Sequence, residues 1–519
     1  MLLDEQIPRI QKLIREKLGA LPKNALQNDL VLRTAFMRLH RVLPRFIRIA
    51  VSEAKFVEFC MANRDRLINF KEVVADRIQD NKKEDEDKTD TDSPPSSSEK
   101  MKELQELALK VYLPTYPPKP VVLERSRGAV VWDIENKEYI DFGAGIAVNS
   151  LGHQDHEILL ALSEQSGNIW HTSNLFLTEP PVRLAVDLVK ATFADRVFFC
   201  NSGAEANEAA IKLVRKYAHL NCPKSKREIL SFEGSFHGRT LATVTATAQP
   251  KYQEGFGPLP GGFRHAPFND FASAEKMIGP KTCAVLVEPI QGEGGVNPAQ
   301  QGFLKHLRKL CDRHKALLIF DEIITGFGRT GQMFAAQTFG VRPDILCMGK
   351  GMSSGYIPLA GIAFRDHVAQ AFLGRPEEEV EFSHGHTYGG NPLAAVAGLA
   401  CLNEIVERDL CARARKMGDY LRGRMESLRD FGIVGEIRGK GLMVGVELVK
   451  DPDSKEQFAP GVDFGIQVGK TALKKGLLTR FDPHWIAFAP PLIIGREQID
   501  HLMGIFTESI EETLKTLNQ

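Results

Sequence analysis

The chain has 519 residues, 43% of them hydrophobic and 25% charged, a balance that suits a globular protein large enough for more than one domain. Lys+Arg and Asp+Glu number 66 each, so the formal net charge is +0 and the global basic field that would draw nucleic acid is excluded. No apolar run reaches transmembrane length, the opening MLLDEQ is acidic where a targeting segment is basic, and the 8 cysteines include no C-x-x-C pair; these features predict a cytoplasmic chain with reduced thiols and no metal site.

From Asp4 to about Asp80 the apolar spacing is helical: Ile7, Ile10, Leu13, Ile14 and Leu18 recur at three- and four-residue steps, with Asp4 as a cap and Gly19 as a stop. Pro44 breaks a later segment. Arg33 to Arg48 is basic and amphipathic, with Arg38, His40, Arg41 and Arg45 among aliphatic residues, a pattern that can dock on a membrane surface or an acidic partner. Apolar stripes more often pack against protein, so the favoured reading is a helical extension packed on the rest of the chain or on a second copy. Residues 81–100, NKKEDEDKTDTDSPPSSSEK, lack large apolar side chains and read as a disordered linker.

AVVWDIENKEYIDF, residues 129–142, alternates as two strands joined by a turn near Glu135 and Asn136. From about residue 165 to 365 strand runs alternate with helices, the apolar CAVLVEPI and LLIFDE flanking the helical GFLKHLRKLCDRHK, which predicts an α/β fold with a doubly wound, mostly parallel sheet. RVFFCNSGAEANEAAIKLVRKYA, from Arg196, is a strand ending at Cys200, a polar turn, and an Ala-rich helix starting near Ala204. The turn at Ser202, Gly203 and Ala204 offers free N–H groups at the positive end of a helix, either an anion site or no more than a cap. Leu317 to Phe320 is a buried-strand run that ends on Asp321 and Glu322, and Pro343 to Met348 is another, which delivers Gly349, Lys350 and Gly351. Beyond Cys401 helices surround the strand-like GLMVGVEL and WIAFAP, a smaller α+β domain.

An Asp or a Lys alone is more often a cap or a surface residue. Ligands of open α/β sheets, however, bind outside the carboxyl ends of the strands, where both of these stand. Pyridoxal 5'-phosphate needs a lysine amine that bonds to it covalently and a carboxylate that keeps its pyridine nitrogen protonated; Lys350 and Asp321 supply that pair.

The segments EPIQGEGG (288–295), FDEIITGFGRTG (320–331) and GKGMSSGYIP (349–358) resemble the signature of class III pyridoxal-phosphate aminotransferases, and within that class the acetylornithine, succinylornithine and ornithine group. The resemblance implies a fold type I PLP-dependent transferase, organised as a helical extension (1–80), a linker (81–100), a first part of the small domain (101–164), a large cofactor-binding domain (165–400) and a carboxyl-terminal small domain (401–519). It implies that Ser202, Gly203 and Ala204 grip the cofactor phosphate and that Thr387, in HTYGGNP, reaches it from the neighbouring subunit, making the active unit a homodimer with shared sites. Phe236 of SFHGRT matches the aromatic that stacks on the ring, His237 follows it into the cavity, and Ile323 packs on the ring face. Arg239 matches the arginine that binds the substrate carboxylate remote from the reacting amine, which points to an amino-acid donor. GAGIAVN (143–149) matches the substrate entrance and would put Ile146 and Val148 near the incoming side chain.

Such an enzyme accepts two different substrates in one pocket, a terminal amine in one half-reaction and the α-carboxylate of glutamate in the other. The resemblance implies that Glu293 masks Arg438 when the terminal amine is bound and releases it when glutamate or 2-oxoglutarate arrives. One position departs from the acetylornithine type: a glutamine three residues after the aspartate is replaced by Ile324, as in ω-amine and β-amino-acid transaminases. The implied reaction moves the terminal amine of an N-acetylornithine- or ornithine-like amino acid to 2-oxoglutarate, with Lys350 as the proton carrier. 4-Aminobutyrate, putrescine and β-amino acids stay open as donors, and racemases, isomerases and decarboxylases of the class use the same lysine and aspartate.

Overall fold

The computed structural model describes residues 96–116 and 121–517, together with 51–63 and the isolated positions 33, 36, 37, 40 and 67. The chain divides into two units, Met1–Ser96 and Ser97–Gln519. In the first, helix α1 (Glu53–Ala62) is capped by Ser52, which accepts the Lys55 N–H at 3.5 Å, and it buries Phe56 and Cys60. Most of the basic run at 33–48, and residues 81–95 of the expected linker, lie outside the described residues. Helix α2 (Ser97–Val111) begins inside the stretch read as linker: Glu99 in its first turn and Lys110 in its last suit the helix dipole, a local preference that the polar composition of 81–100 concealed.

In the second unit, β1 (Leu123–Arg127), β2 (Val130–Asp133) and β3 (Glu138–Asp141) form an antiparallel meander, with Asn136 at φ +64° in the expected turn. Helices α3 (His156–Ser166) and α4 (Glu179–Ala191) follow and pack on α7 (Pro392–Glu407). The expected domain boundaries at 165 and 401 therefore both fall inside helices.

The central sheet has seven strands. In chain order they are β4 (Arg196–Cys200), β5 (Glu228–Phe232), β6 (Phe263–Ala266), β7 (Thr282–Val287), β8 (Leu317–Asp321), β9 (Ile345–Met348) and β10 (Ala360–Phe364), and in space β4-β10-β9-β8-β7-β5-β6. All neighbours are parallel except β10, which runs against both β9 and β4. Strands β7 and β8 are buried on both faces, as their unbroken apolar runs require. Alternation then divides them. Ala284, Leu286, Leu317, Ile319, Ile345 and Cys347 join a core with Ala206, Ala209, Ala210 and Leu213 of α5 (Gly203–Asn221), while Val285, Val287, Leu318, Phe320, Leu346 and Met348 join Phe303, Leu304, Leu307 and Leu310 of α6 (Phe303–His314). Alanines on α5 let its backbone approach the sheet closely.

The carboxyl-terminal part carries helices α8 (Leu410–Met425), α9 (Phe464–Lys474) and α10 (Arg496–Leu517) around a four-stranded antiparallel sheet. Its strands are β11 (Val434–Lys440), β12 (Met443–Leu448), β14 (Arg480–Asp482) and β15 (Trp485–Phe488), in the order β11-β12-β15-β14. The short β13 (Leu477–Leu478) instead pairs in parallel with β3, tying this region to the amino-terminal meander. Among the described residues no helix is long and apolar enough to cross a membrane.

Candidate active site at the carboxyl edge of the central sheet

Because β10 is antiparallel to both its neighbours, β4 points the same way as β9, and the carboxyl ends of β4, β5, β7, β8 and β9 share one edge. At or just beyond the ends of those five strands stand Ser202, Phe236, Glu288, Asp321 and Lys350.

Asp321 ends β8 and is 2% exposed. Its Oδ2 accepts from His237 Nδ1 at 2.7 Å and from Asn207 Nδ2 at 2.7 Å, and its Oδ1 accepts the Ile323 N–H at 3.1 Å. Three donors on an acceptor-only carboxylate hold it in one orientation. His237 is itself fixed, its N–H donating to Thr247 Oγ1 at 2.8 Å, and with the proton placed on Nδ1 its buried Nε2 has no partner. Beneath them lies Glu288, whose oxygens accept the N–H of Phe236 at 2.8 Å and of Gly292 at 3.2 Å; burial pushes its carboxyl up to about 7.

Lys350 follows β9 at φ +44°, a left-handed conformation that costs a non-glycine residue about 1 kcal/mol and collects at functional sites. Burial holds its amine below the ordinary lysine value, against the pull of Glu293, Glu288 and Asp321. A neutral amine is the form that can bond to a carbonyl or take up a proton. Next to it the backbone is compressed: a Cβ on Gly349 would stand 3.5 Å from Ile323 Cγ2 and 3.7 Å from Gly203 Cα, and one on Gly203 would stand 2.8 Å from Ile323 Cδ1. Ile323 thus lies between the turn that opens α5 and the strand end that bears Lys350.

In that turn Ser202 caps α5, its Oγ accepting the Glu205 N–H at 3.2 Å, so the cap reading is correct. The anion reading is compatible with it, because first-turn N–H groups have no intrahelical acceptor. Thr387 is exposed on the loop before α7; its neighbour His386 reaches Glu205 of the same turn at 3.7 Å and accepts at its carbonyl from Asn174 Nδ2 at 2.9 Å.

Ile146 (φ +66°), Glu293, Ile324, Met443, Arg480 and Phe488 line one pocket. Here the pairing expected between Glu293 and Arg438 is corrected. Glu293 Oε2 meets Arg480 Nη2 at 3.1 Å. Arg438 donates through Nε to the carbonyls of Gly295 at 3.0 Å and Val296 at 3.2 Å, and its Nη1 meets Glu436 at 3.3 Å and Glu447 at 3.4 Å. Both arginines lie on the same sheet, but Arg480 stands opposite Ala487, whose small side chain leaves the guanidinium open to the pocket, while the backbone of the Gly292–Gly295 loop occupies Arg438. Arg239 is exposed, its guanidinium 4.2 Å over the Tyr252 ring and 5.5 Å over Phe236.

Three contributors were not singled out from sequence. Asn207 is detectable as a polar residue on the buried face of an Ala-rich helix. Glu288 lies within the EPIQGEGG motif but carries no local sign of its role. Arg480 has no sequence signal, because its place depends on a strand pairing.

An enclosed carboxylate, a lysine held toward its neutral form, a helix N-terminus and an aromatic shelf within one strand edge fit an anionic aromatic aldehyde such as pyridoxal 5'-phosphate. Comparison with known proteins agrees. Residues 111–510 match the family model described as aminotransferase class-III. The chain is 48% identical over 386 residues to an acetylornithine aminotransferase of Xanthomonas axonopodis pv. citri, covering 73% of this chain and 90% of that one. It is 47% identical over 386 residues, with the same coverage, to the acetylornithine aminotransferase of Xanthomonas campestris pv. campestris. Among solved structures it resembles an (S)-enantioselective ω-transaminase of Thermomicrobium roseum, with TM-score 0.75 and 34% identity over 80% of this chain and 99% of that one. It also resembles an aminotransferase of Bacillus anthracis, with TM-score 0.77 and 31% identity over 80% of this chain and 100% of that one. The chain belongs to the class III aminotransferases, which are pyridoxal-phosphate-dependent enzymes.

Proposed function

We propose that the protein moves the terminal amino group of an ω-amino acid of the N-acetylornithine or ornithine type to 2-oxoglutarate, yielding a semialdehyde and glutamate. The observation that carries this reading is the Glu293–Arg480 pair at 3.1 Å in the wall of the pocket. Paired, it presents little net charge to a donor whose reacting carbon bears only hydrogens; unpaired, Arg480 offers a bidentate fork to an α-carboxylate. Arg239, stacked on Tyr252, is the candidate for the donor's own carboxylate. The names of the Xanthomonas relatives support the acetylornithine donor.

When bound, pyridoxal 5'-phosphate supplies an electron sink that acidifies the carbon bearing the amine. Asp321 would hold the ring nitrogen protonated, with His237 and Asn207 fixing the carboxylate. Phe236 and Ile323 would hold the ring, and the first turn of α5 would take the phosphate. Lys350 Nζ carries the proton off the substrate carbon and returns it.

Two features support finer points. Ile324, in the pocket wall where the acetylornithine type has glutamine, favours a second reading as a broader ω-amine transaminase, in keeping with the Thermomicrobium neighbour. A homodimer is favoured by the exposed side chains of Ile169, Trp170, Leu175, Phe176 and Leu177, where Leu175 is 87% and Leu177 91% exposed, together with Tyr388 beside Thr387.

The test is the absorbance of the holoenzyme in single half-reactions. N-acetylornithine or ornithine should bleach the cofactor band, and 2-oxoglutarate should restore it. Bleaching only by 4-aminobutyrate, putrescine or β-alanine would select the second reading, and no bleaching by any donor would overturn both.

A further inference from the structure

Glu293 sits in a loop with almost no freedom. A Cβ on Gly292 would fall 2.7 Å from Ile324 Cδ1, one on Gly294 2.9 Å from the Gly234 carbonyl, and one on Gly295 3.0 Å from Trp485 Cδ1. Backbone hydrogen bonds therefore decide where Glu293 stands. After the glutamate, Arg438 Nε grips the carbonyls of Gly295 and Val296. Before it, the Gly292 N–H is held by Glu288 Oε2 at 3.2 Å, and the other oxygen of the same carboxylate holds the Phe236 N–H at 2.8 Å. Glu288 is 5% exposed, and the steps assigned to Asp321 and Lys350 do not use it.

We infer that Glu288 is a positioning residue: its two oxygens hold the Glu293 gate in register with the ring-facing Phe236, and so set how strongly the pocket prefers a terminal amine over the α-amine of glutamate. Above about pH 7, where Glu288 is ionised, a carboxylate suits this place because both of its oxygens accept. An amide can accept with only one and turns an NH2 toward the other N–H, so Glu288→Gln frees one end of the link with little change in volume. With Gly292 released, Glu293 covers Arg480 only part of the time, and an α-carboxylate enters the donor half-reaction more easily.

This inference rests on reading Glu293–Arg480 as the gate, and the experiment separates the two. In holoenzyme, single-turnover kcat/KM is measured for L-glutamate and for the best of N-acetylornithine, ornithine and 4-aminobutyrate, in wild type, Glu288→Gln, Glu288→Asp and Glu293→Ala. Both changes at 288 are expected to lower the ω-amine-to-glutamate ratio by about 10-fold, the scale of one hydrogen bond to a charged acceptor, with cofactor content retained. Aspartate is included because it keeps the charge but is too short to span both N–H groups. If Glu293→Ala shifts the ratio while the changes at 288 slow both donors by one common factor, Glu288 is merely structural and the inference fails alone. If Glu293→Ala leaves the ratio unmoved, or no ω-amine reacts, the gate reading fails and takes this one with it.

Discussion

Asp321 and His237 are joined through Oδ2 and Nδ1 at 2.7 Å, with side chains 3% and 0% exposed. The same Oδ2 takes a second donor, Asn207 Nδ2, also at 2.7 Å. Asn207→Ala removes this buried hydrogen bond to a charged group, worth about 1.5–3 kcal/mol, together with the bond from the same nitrogen to the His237 carbonyl at 2.8 Å, and leaves only His237 and the Ile323 N–H to orient the carboxylate. We expect kcat/KM to fall about 10- to 100-fold with the pyridoxal phosphate still bound, as read from its absorbance. Unchanged turnover would show that His237 suffices.

The two arginines of the carboxyl-terminal sheet make opposite predictions. Arg480→Met should raise KM for 2-oxoglutarate about 10- to 100-fold, the value of one charge-assisted pair, while the half-reaction with a terminal amine changes far less. Arg438→Met should not raise that KM in the same way, because its bonds go to the Gly295 and Val296 carbonyls; it loosens the loop that carries Glu293 and so, like the changes at 288, lowers the ω-amine-to-glutamate ratio. The reverse pattern would restore Arg438 as the carboxylate anchor.

Lys350→Ala should lower multiple-turnover transamination by about 10²- to 10⁴-fold, the contribution of a positioned proton carrier. The band of free pyridoxal phosphate in the variant would show that the pocket itself survives. Normal multiple turnover would contradict the assignment of Lys350.

Burial pushes the Glu322 carboxyl up to about 7 from an ordinary 4.5, against the N–H donors of Ala336 and Ala335 and the Thr325 hydroxyl. A carboxyl with a raised folded-state pKa binds its proton more tightly in the folded chain than in the unfolded one. Its contribution to stability is therefore full below about pH 4.5 and is lost as the pH climbs through 7, by about 3 kcal/mol for a shift of this size. Glu322→Gln should flatten that part of the profile. Urea midpoints of variant and wild type between pH 4.5 and 8 provide the check, and parallel profiles would refute it.

Leu307, fully buried on α6 against the sheet, should cost about 2–5 kcal/mol when cut to alanine. Denaturant unfolding measures this directly, and a loss under about 1 kcal/mol would mean that the α6 face repacks freely.

Much of the central sheet was legible because its strands are short apolar runs closed by polar turns, and chemistry in such sheets gathers at the carboxyl ends. Asp321 and Lys350 could be found that way without a structure, and the glycine-rich segments carried the family. Partners across distant elements could not. Whether Glu293 meets Arg438 or Arg480 depends on β14 pairing with β15, and nothing local to either arginine distinguishes them. The antiparallel β10 was hidden for a similar reason, since AGIAF reads the same in either direction. The start of helix α2 was missed because its first turn lies in the uniformly polar 81–100, while the helical spacing of Met101, Leu104, Ala108 and Val111 falls beyond that stretch.

The glycines of the Gly292–Gly295 loop also limit how this pocket can be altered. Side chains at 292, 294 and 295 would collide with Ile324, the Gly234 backbone and Trp485, so the loop acts as a fixed template. Any broadening toward bulkier donors has to come from the rest of the lining, at Ile146, Ile324, Met443 and Ala487, and trimming Ile324 or Met443, which pack on Gly292, also removes support from the template.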